Sequence, residues 1–256
     1  MKILKELEKF GFAIQKNVIP VNDCIKMSKV LDSLKSEQKK KGLLKSTKAQ
    51  TVITNVHLEK PGTFLDKISL PKVMNVVSNV LKDEFILSNF NASSPGKTGG
   101  KRIHIDSRIP ISEFSNTMQI VATLCIDDFT EKNGATVVYP FSHTSNRNPN
   151  HIKNKNSKKV QAIAPRGSII YVLGQTWHDV GPNLNGQNRW GIIAYYSRWW
   201  IKPTFDFTNC GKKIFNQLTN QQKKLMGFTS IPPRHNENRI KTLIPIEKIS
   251  KSYNNF

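Results

Sequence analysis

A mainly β protein with flanking helices is the fold class this sequence predicts, on three observations. From residue 84 onward, short β-rich runs follow one another, bounded by Gly, Pro, Asn or Asp. No helical period alternates with them, which suits a sandwich or barrel rather than βα units. The clearest helical patterns fall earlier, within the first 83 residues.

The elements follow in order. "ILKELEKFGF" spaces its apolar residues for a helix that stops at Gly11, and "FAIQKNVIP" reads as a short strand ending at Pro20. In "VNDCIKMSKVLDSLKSEQ", Asn22 or Asp23 is the expected N-cap, and Ile25, Met27, Val30, Leu31 and Leu34 share one side. The rest of the first 50 residues reads as helical. "LPKVMNVVSNVLKD" (70–83) is a further amphipathic helix with Pro71 in its first turn. The strands are "EFILSNFNAS", "KRIHIDS", "TMQIVATLCI", "ATVVYP", "KVQAIAP", "GSIIYVLG" and "RWGIIAYYSRWW", and one helix is expected around 213–226 in a polar, basic tail. The expected organisation is one domain, with helical support over about 1–83, a β core over about 84–200 and a C-terminal extension over about 201–256.

Composition narrows the class. Apolar residues make up 38%, with 13 Phe, 4 Trp and 5 Tyr, enough for a sizeable core. No apolar run approaches the roughly 18–20 residues of a membrane-spanning helix, and charges occupy the N-terminus where a secretory signal needs an apolar stretch. The expectation is a soluble cytoplasmic protein. Cys24, Cys125 and Cys210 are an odd, widely spaced set without CxxC, and read as small buried hydrophobes rather than a disulfide framework. The net charge of +21 invites a nucleic-acid reading. Its lysines are spread along the chain without interleaved aromatics, so a solvated basic surface, or attraction of an anionic small molecule or a membrane surface, is favoured over a nucleic-acid partner.

The chemistry concentrates in a few residues. In the extended run "KRIHIDSR", His104 and Asp106 point the same way and can bind one ion together. His178, in "IIYVLGQTWHDVGPN", follows an apolar strand and a Gly. Two His and one carboxylate on one side of a metal, with the other positions open, is the donor set of a mononuclear iron(II) oxygenase. Eleven residues after His178, Arg189 opens an apolar strand, and the natural partner for a guanidinium there is a carboxylate held bidentately. Of the other histidines, His57 reads as structural or exposed, His143 as a turn brace, and His151 and His235 as solvated.

Over about residues 5–200 the chain resembles the phytanoyl-CoA dioxygenase family of iron(II)/2-oxoglutarate-dependent oxygenases. "LEKFGFAIQKNVIP" resembles its N-terminal GF segment, "HID" its H-x-D pair, and "DDFTEKNGATVVYPFSH" (127–143) its segment ending in PGSH, with Phe141 where Gly is usual. "TWHDVGPNLNGQNRWGIIAYY" resembles its distal His and Arg. The resemblance implies a double-stranded β-helix, a cupin-like jelly roll. It implies Fe(II) held by His104, Asp106 and His178, with 2-oxoglutarate and O2 as cosubstrates and Arg189 on the distal carboxylate. By position, Asn91, Gln119 and Thr123 are candidates for further hydrogen bonds to the cosubstrate. Arg108 and Trp177 are candidates for substrate contacts, with Lys97, Arg102, Trp199 and Trp200 around the mouth. The implied reaction is hydroxylation of a small, anionic molecule with release of succinate and CO2. Related halogenases have a small residue at the position of Asp106, so its carboxylate argues for hydroxylation. Open beside this reading stand an oxygenase acting on protein or nucleic acid, a non-catalytic jelly-roll binding protein, and a zinc hydrolase, which would leave Arg189 unexplained.

Overall fold

Two antiparallel sheets face each other in the computed structural model, which describes residues 2–82, 84–100, 102–107, 109, 112–149, 158–232 and 243–249. Arg108, His151 and His235 lie outside the described residues. The larger sheet has the order β1 (Phe12–Gln15), β8 (Ile169–Leu173), β5 (Gln119–Cys125), β10 (Gly191–Arg198), β4 (Phe85–Pro95), β3 (Gln50–Ile53), β2 (Lys45–Ser46). The smaller has β6 (Thr136–Val138) between β7 (Val160–Gln161) and β9 (His178–Val180). This is the expected jelly roll with helices on one side.

The period-two alternation of the strands decides what each face of the large sheet meets. Ala13, Phe90, Ala92, Ala122, Leu124, Tyr171, Ile192 and Tyr196 join the main core. There they pack with Leu7 of α1 (Lys2–Phe10), Met27 and Leu31 of α2 (Val21–Lys40), and Val73 and Val77 of α3 (Pro71–Leu81). The opposite face is split. At the β1–β8 side, Phe12, Ile14, Ile170, Val172 and Cys125 form a second apolar cluster with Phe129, Ala135, Val138, Ala162 and Ala164. Across β5, β10 and β4 the same face carries Gln119, Thr123, Ser197, Tyr195, Asn89, Asn91 and Ser93, paired by register. A polar half of an otherwise apolar interior is the place to look for a site.

Several local expectations need correction. The α2 helix begins at Val21 directly after Pro20, without a side-chain cap, and Asn22 and Asp23 sit in its first turn. Its buried stripe is Cys24, Met27, Leu31 and Leu34, spaced three, four and three, which leaves Ile25 at 36% exposure. Residues 45–53 are a hairpin rather than helix. Its turn has no Gly, Pro or Asn; the Thr47 hydroxyl accepts the amides of Ala49 and Gln50 instead. The helix expected at 213–226 is two short ones, α4 (Lys212–Phe215) and α5 (Asn220–Leu225), because Thr219 and Gln222 form a reciprocal capping box that starts a new helix. The described part of the tail is not an appendage: Phe207, Phe215, Leu218, Leu225, Met226, Phe228 and Ile249 are buried in the main core.

The three cysteines are free, with Cys24 and Cys125 buried as expected. His143 is buried and its Nε2 meets the Glu8 carbonyl at 2.9 Å, bracing its turn against α1. Phe141 takes φ +67°, a left-handed conformation that suits the glycine usual there; its ring is half exposed and rests edge-on against Phe10. Among the described residues, no helix is long and apolar enough to cross a membrane.

His57 is fully buried, edge-on to Phe90 and Phe207, and neither ring nitrogen has a partner. Burial pushes its pKa down from 6.5 to about 3. Between those values the unfolded chain takes up a proton that the folded chain refuses, so stability is lost as pH falls, by about 1.4 kcal/mol per pH unit from this group. His57→Leu is expected to be at least as stable at pH 7 and to widen its advantage down to pH 4.5, read from urea midpoints. An unchanged gap would contradict a neutral buried imidazole.

Candidate metal centre

The three candidate ligands are brought together by backbone pairing. His104 does not lie in a regular strand as expected; it makes an isolated bridge with His178, each amide donating to the other's carbonyl at 3.1 and 3.0 Å. This pairing places both side chains on one side, with ring centroids 4.3 Å apart. Two residues on, the amides of Asp106 and Ser107 both donate to the Gly174 carbonyl at 2.8 Å, which holds Asp106 beside them.

Each imidazole is aimed by its other nitrogen. Nδ1 of His104 meets the Arg102 carbonyl at 3.2 Å, and Nδ1 of His178 meets the Thr176 carbonyl at 3.0 Å. These acceptors fix the proton on Nδ1 and turn the Nε2 lone pairs toward Asp106. The distances are 3.8 Å from His104 Nε2 to Oδ1 and 3.3 Å from His178 Nε2 to Oδ2. Burial, then the facing His178, hold the His104 pKa below its usual value, so its ring is neutral at pH 7 as a ligand must be.

The donor set fits a metal ion. All three ligand atoms lie within 4.8 Å of one another. Asp106 is only 6% exposed at its side chain, and its Oδ2 is buried without a hydrogen-bond partner. A carboxylate oxygen facing an imidazole lone pair is repulsive, and a cation between them satisfies both.

Arg189 precedes β10 by two residues and is 6% exposed. Its Nη2 donates to the Gly134 carbonyl at 2.7 Å, its Nε to Asn133 at 3.5 Å, and its guanidinium lies 3.6 Å over the Phe129 ring. No carboxylate of the described residues pairs with it. Burial lowers its pKa to about 10, so it keeps its charge at pH 7. A buried cation served by carbonyls and one aromatic face calls for an anion. Gly191 makes the room: a Cβ there would lie 2.7 Å from Phe129 Cζ and 3.2 Å from Arg189 Nη1.

The segment 127–134 frames this cation, a role its sequence did not disclose. Asp127 accepts the Trp190 amide at 2.7 Å, next to Arg189, and also pairs with Arg166 at 2.8 Å. Asn133 closes its own loop through the Thr130 amide and the Asp128 carbonyl. Gly134 takes φ +87°, where a Cβ would strike the Pro95 ring at 2.5 Å.

The remaining candidates separate. Thr123 stands beside Arg189, its Cγ2 bordering the space over Gly191. Asn91 is level with Thr123 across Ile193, but its Oδ1 accepts the Asn55 amide at 2.9 Å. Gln119 accepts the Gly174 amide through its carbonyl, next to the anchor of Asp106. Trp177 is not brought to the ligands: it is 5% exposed, and its indole N–H donates to the Arg147 carbonyl at 3.0 Å. Trp199 and Trp200 follow β10 at 37% and 54% exposure.

Sequence reasoning missed Tyr195, whose hydroxyl donates to Asp106 Oδ1 at 3.1 Å. It also missed Asn89 and Ser197, both buried on the polar face, where Asn89 Oδ1 and Ser197 Oγ have no partner. The only available signal was the period-two pattern of β10, which places Gly191, Ile193, Tyr195 and Ser197 on one face.

Known proteins resemble this chain in sequence and in fold to different degrees. The sequence profile of the family Phytanoyl-CoA dioxygenase (PhyH) matches residues 7–191. The chain is 27% identical over 177 residues to Uncharacterized protein Rv1501 of Mycobacterium tuberculosis (strain ATCC 25618 / H37Rv), a match covering 65% of this chain and 63% of the relative. It is 25% identical over 171 residues to Dioxygenase af480 of Aspergillus fumigatus (strain ATCC MYA-4609 / CBS 101355 / FGSC A1100 / Af293), covering 65% of this chain and 55% of that protein. Thus the match spans less than two thirds of either relative. In fold it is similar to the epimerase SnoN in complex with Fe3+, alpha ketoglutarate and nogalamycin RO, with a TM-score of 0.64 at 11% identity over 95% of this chain and 94% of that one.

Proposed function

This chain belongs to the phytanoyl-CoA dioxygenase family, and on that premise we propose that it is an Fe(II)/2-oxoglutarate-dependent dioxygenase that hydroxylates a C–H bond of a small anionic molecule. The observation that carries the reading is the pairing of two demands on one interior. A His–Asp–His cluster presents an unsatisfied Asp106 oxygen, and a buried Arg189 has no carboxylate among the described residues.

In this reading His104, Asp106 and His178 hold the metal and Arg189 holds the distal carboxylate of 2-oxoglutarate, with Thr123 beside it and Asn91 and Gln119 on the same face. Bound iron and 2-oxoglutarate supply the oxidation: O2 is reduced, 2-oxoglutarate becomes succinate and CO2, and one oxygen atom enters the substrate. The residues do the rest. The Arg102 and Thr176 carbonyls keep both imidazoles aimed, Phe129 and the walls of the second apolar cluster exclude water from the Arg189 end, and Asp106 fills the place that a halide would need. Support for an anionic substrate is the net charge of +21 and Arg102, two residues before His104.

The test is anaerobic addition of Fe(II) and 2-oxoglutarate, which should develop a metal-to-ligand charge-transfer band, followed by a metabolite screen scored by substrate-stimulated succinate release. A wild-type protein with no band would sink the reading. A product heavier by one oxygen supports hydroxylation; an isomer of unchanged mass would replace it with epimerisation. Stimulation by neutral compounds alone would remove the anionic substrate.

A further inference from the structure

We propose that Tyr195 sets how Asp106 meets the metal, pinning Oδ1 so that Oδ2 is the single oxygen offered to the ion. The proposal rests on the metal-site reading above and goes beyond it, because nothing in the ligand set itself says how many oxygens bind.

The two oxygens of Asp106 are not equivalent. Oδ1 accepts the Tyr195 hydroxyl at 3.1 Å, whereas Oδ2 is buried without a donor and lies 3.3 Å from His178 Nε2. An aspartate can hold a metal through one oxygen or chelate it through two. Chelation would take up one of the positions that an oxygenase of this donor set must keep open for cosubstrate and O2. A hydrogen bond to one oxygen disfavours chelation, since the donor occupies one of that oxygen's two lone pairs and draws charge from it, leaving the other oxygen the better ligand.

Tyr195 is placed for this by register and not by local sequence. It pairs with Asn89 on β4 and Val121 on β5, so two ladders fix its backbone. Immediately after it the β10–β4 register slips between Tyr195 and Tyr196, with Ser88 as the extra residue. Bulges of this kind steer side chains beside functional sites. This one is locked from outside, because Ser88 Oγ meets Thr204 Oγ1 at 3.0 Å and accepts the Thr204 amide at 2.8 Å. Tyr196 turns the other way and spends its hydroxyl on the Ile68 carbonyl at 2.9 Å. Of the two adjacent tyrosines, one braces the core and the other reaches a metal ligand. Tyr195 touches no reacting atom, so it is a positioning residue.

Tyr195→Phe keeps the ring and removes the hydroxyl. Co(II), with its visible bands as a coordination probe, is titrated into both metal-free proteins, and each is then examined with Fe(II) and 2-oxoglutarate. The variant should melt close to the wild type without metal. It should lose roughly 10–100-fold in Co(II) affinity, show the weaker Co(II) absorbance of a higher coordination number, and shift the charge-transfer band. Superimposable Co(II) titrations and spectra would overturn the role of Tyr195 while leaving the metal site standing. A wild type that binds neither metal would overturn both. Wild-type Co(II) binding without a 2-oxoglutarate band would sink the oxygenase reading alone, and the Co(II) comparison would still decide Tyr195. A second measurement needs no variant: the infrared difference spectrum of the wild type on metal addition should show the wide carboxylate splitting of one-oxygen binding. A narrow, chelating splitting would overturn the proposal.

Discussion

His178→Ala should leave a folded protein that develops no charge-transfer band with Fe(II) and 2-oxoglutarate and releases no detectable succinate. The bridge to His104 uses only backbone atoms, so it survives truncation of the side chain. What is lost is the Nε2 that the Thr176 carbonyl aims at Asp106 Oδ2. Groups that merely hydrogen-bond a ligand typically change metal affinity by roughly 10–100-fold, so deleting a ligand outright should cost more and empty the site at ordinary iron concentrations. The stability cost should stay within about 0.5–3 kcal/mol, the usual range for one substitution. His104→Ala should behave in the same way. Melting curves, equilibrium dialysis of Fe(II) and the absorbance band are the measurements. A His178→Ala protein that forms the band at wild-type iron concentration would remove this residue from the metal site.

Arg189→Met should raise the KM for 2-oxoglutarate by roughly 30-fold or more, because losing one partner of a buried charge pair costs about 2–5 kcal/mol. Metal affinity should be unchanged, which separates this residue from the ligands. Without cosubstrate, the opposite trend is expected for stability. Arg189 holds a positive charge at 6% exposure with two carbonyls, a ring and no acid of the described residues paired with it, so an apolar chain of similar length should leave the metal-free protein as stable or more stable. Arg189→Lys keeps the charge and loses the planar fork, and should fall between the two. An Arg189→Met enzyme with unchanged KM for 2-oxoglutarate would place the cosubstrate elsewhere.

Much of this site was legible because it is built from short-range regularities. The H-x-D pair was visible as a two-residue spacing, although the fold sets it with one isolated bridge and the Asp106 amide on the Gly174 carbonyl rather than with a regular strand, and Arg189 was visible from its place at the head of an apolar strand. The helices Lys2–Phe10, Val21–Lys40 and Pro71–Leu81 could be read from their stripes, whereas the short ones at Val56–Glu59 and Pro61–Phe64 were not, and Ile25 was misplaced by one step of its stripe. The hairpin at 45–53 escaped notice because its turn is held by a threonine hydroxyl rather than by glycine or proline. The tail gave no sign of entering the core, since its apolar residues are scattered, and Phe215 meets Phe228, and Phe207 meets His57, only when folded.

The sequence by itself determined the β core and its helical flank, and it singled out His104, Asp106, His178 and Arg189 as candidates through local motifs and a charge that needs a partner. The tertiary structure alone decided which polar residues share the interior with them. Tyr195 and Asp106 are 89 residues apart, and Trp177 stands next to His178 yet packs away from the ligands. Such choices depend on strand register and on which side of a ladder a residue falls, and register is set by the whole sheet closing at once, beyond the reach of any local pattern.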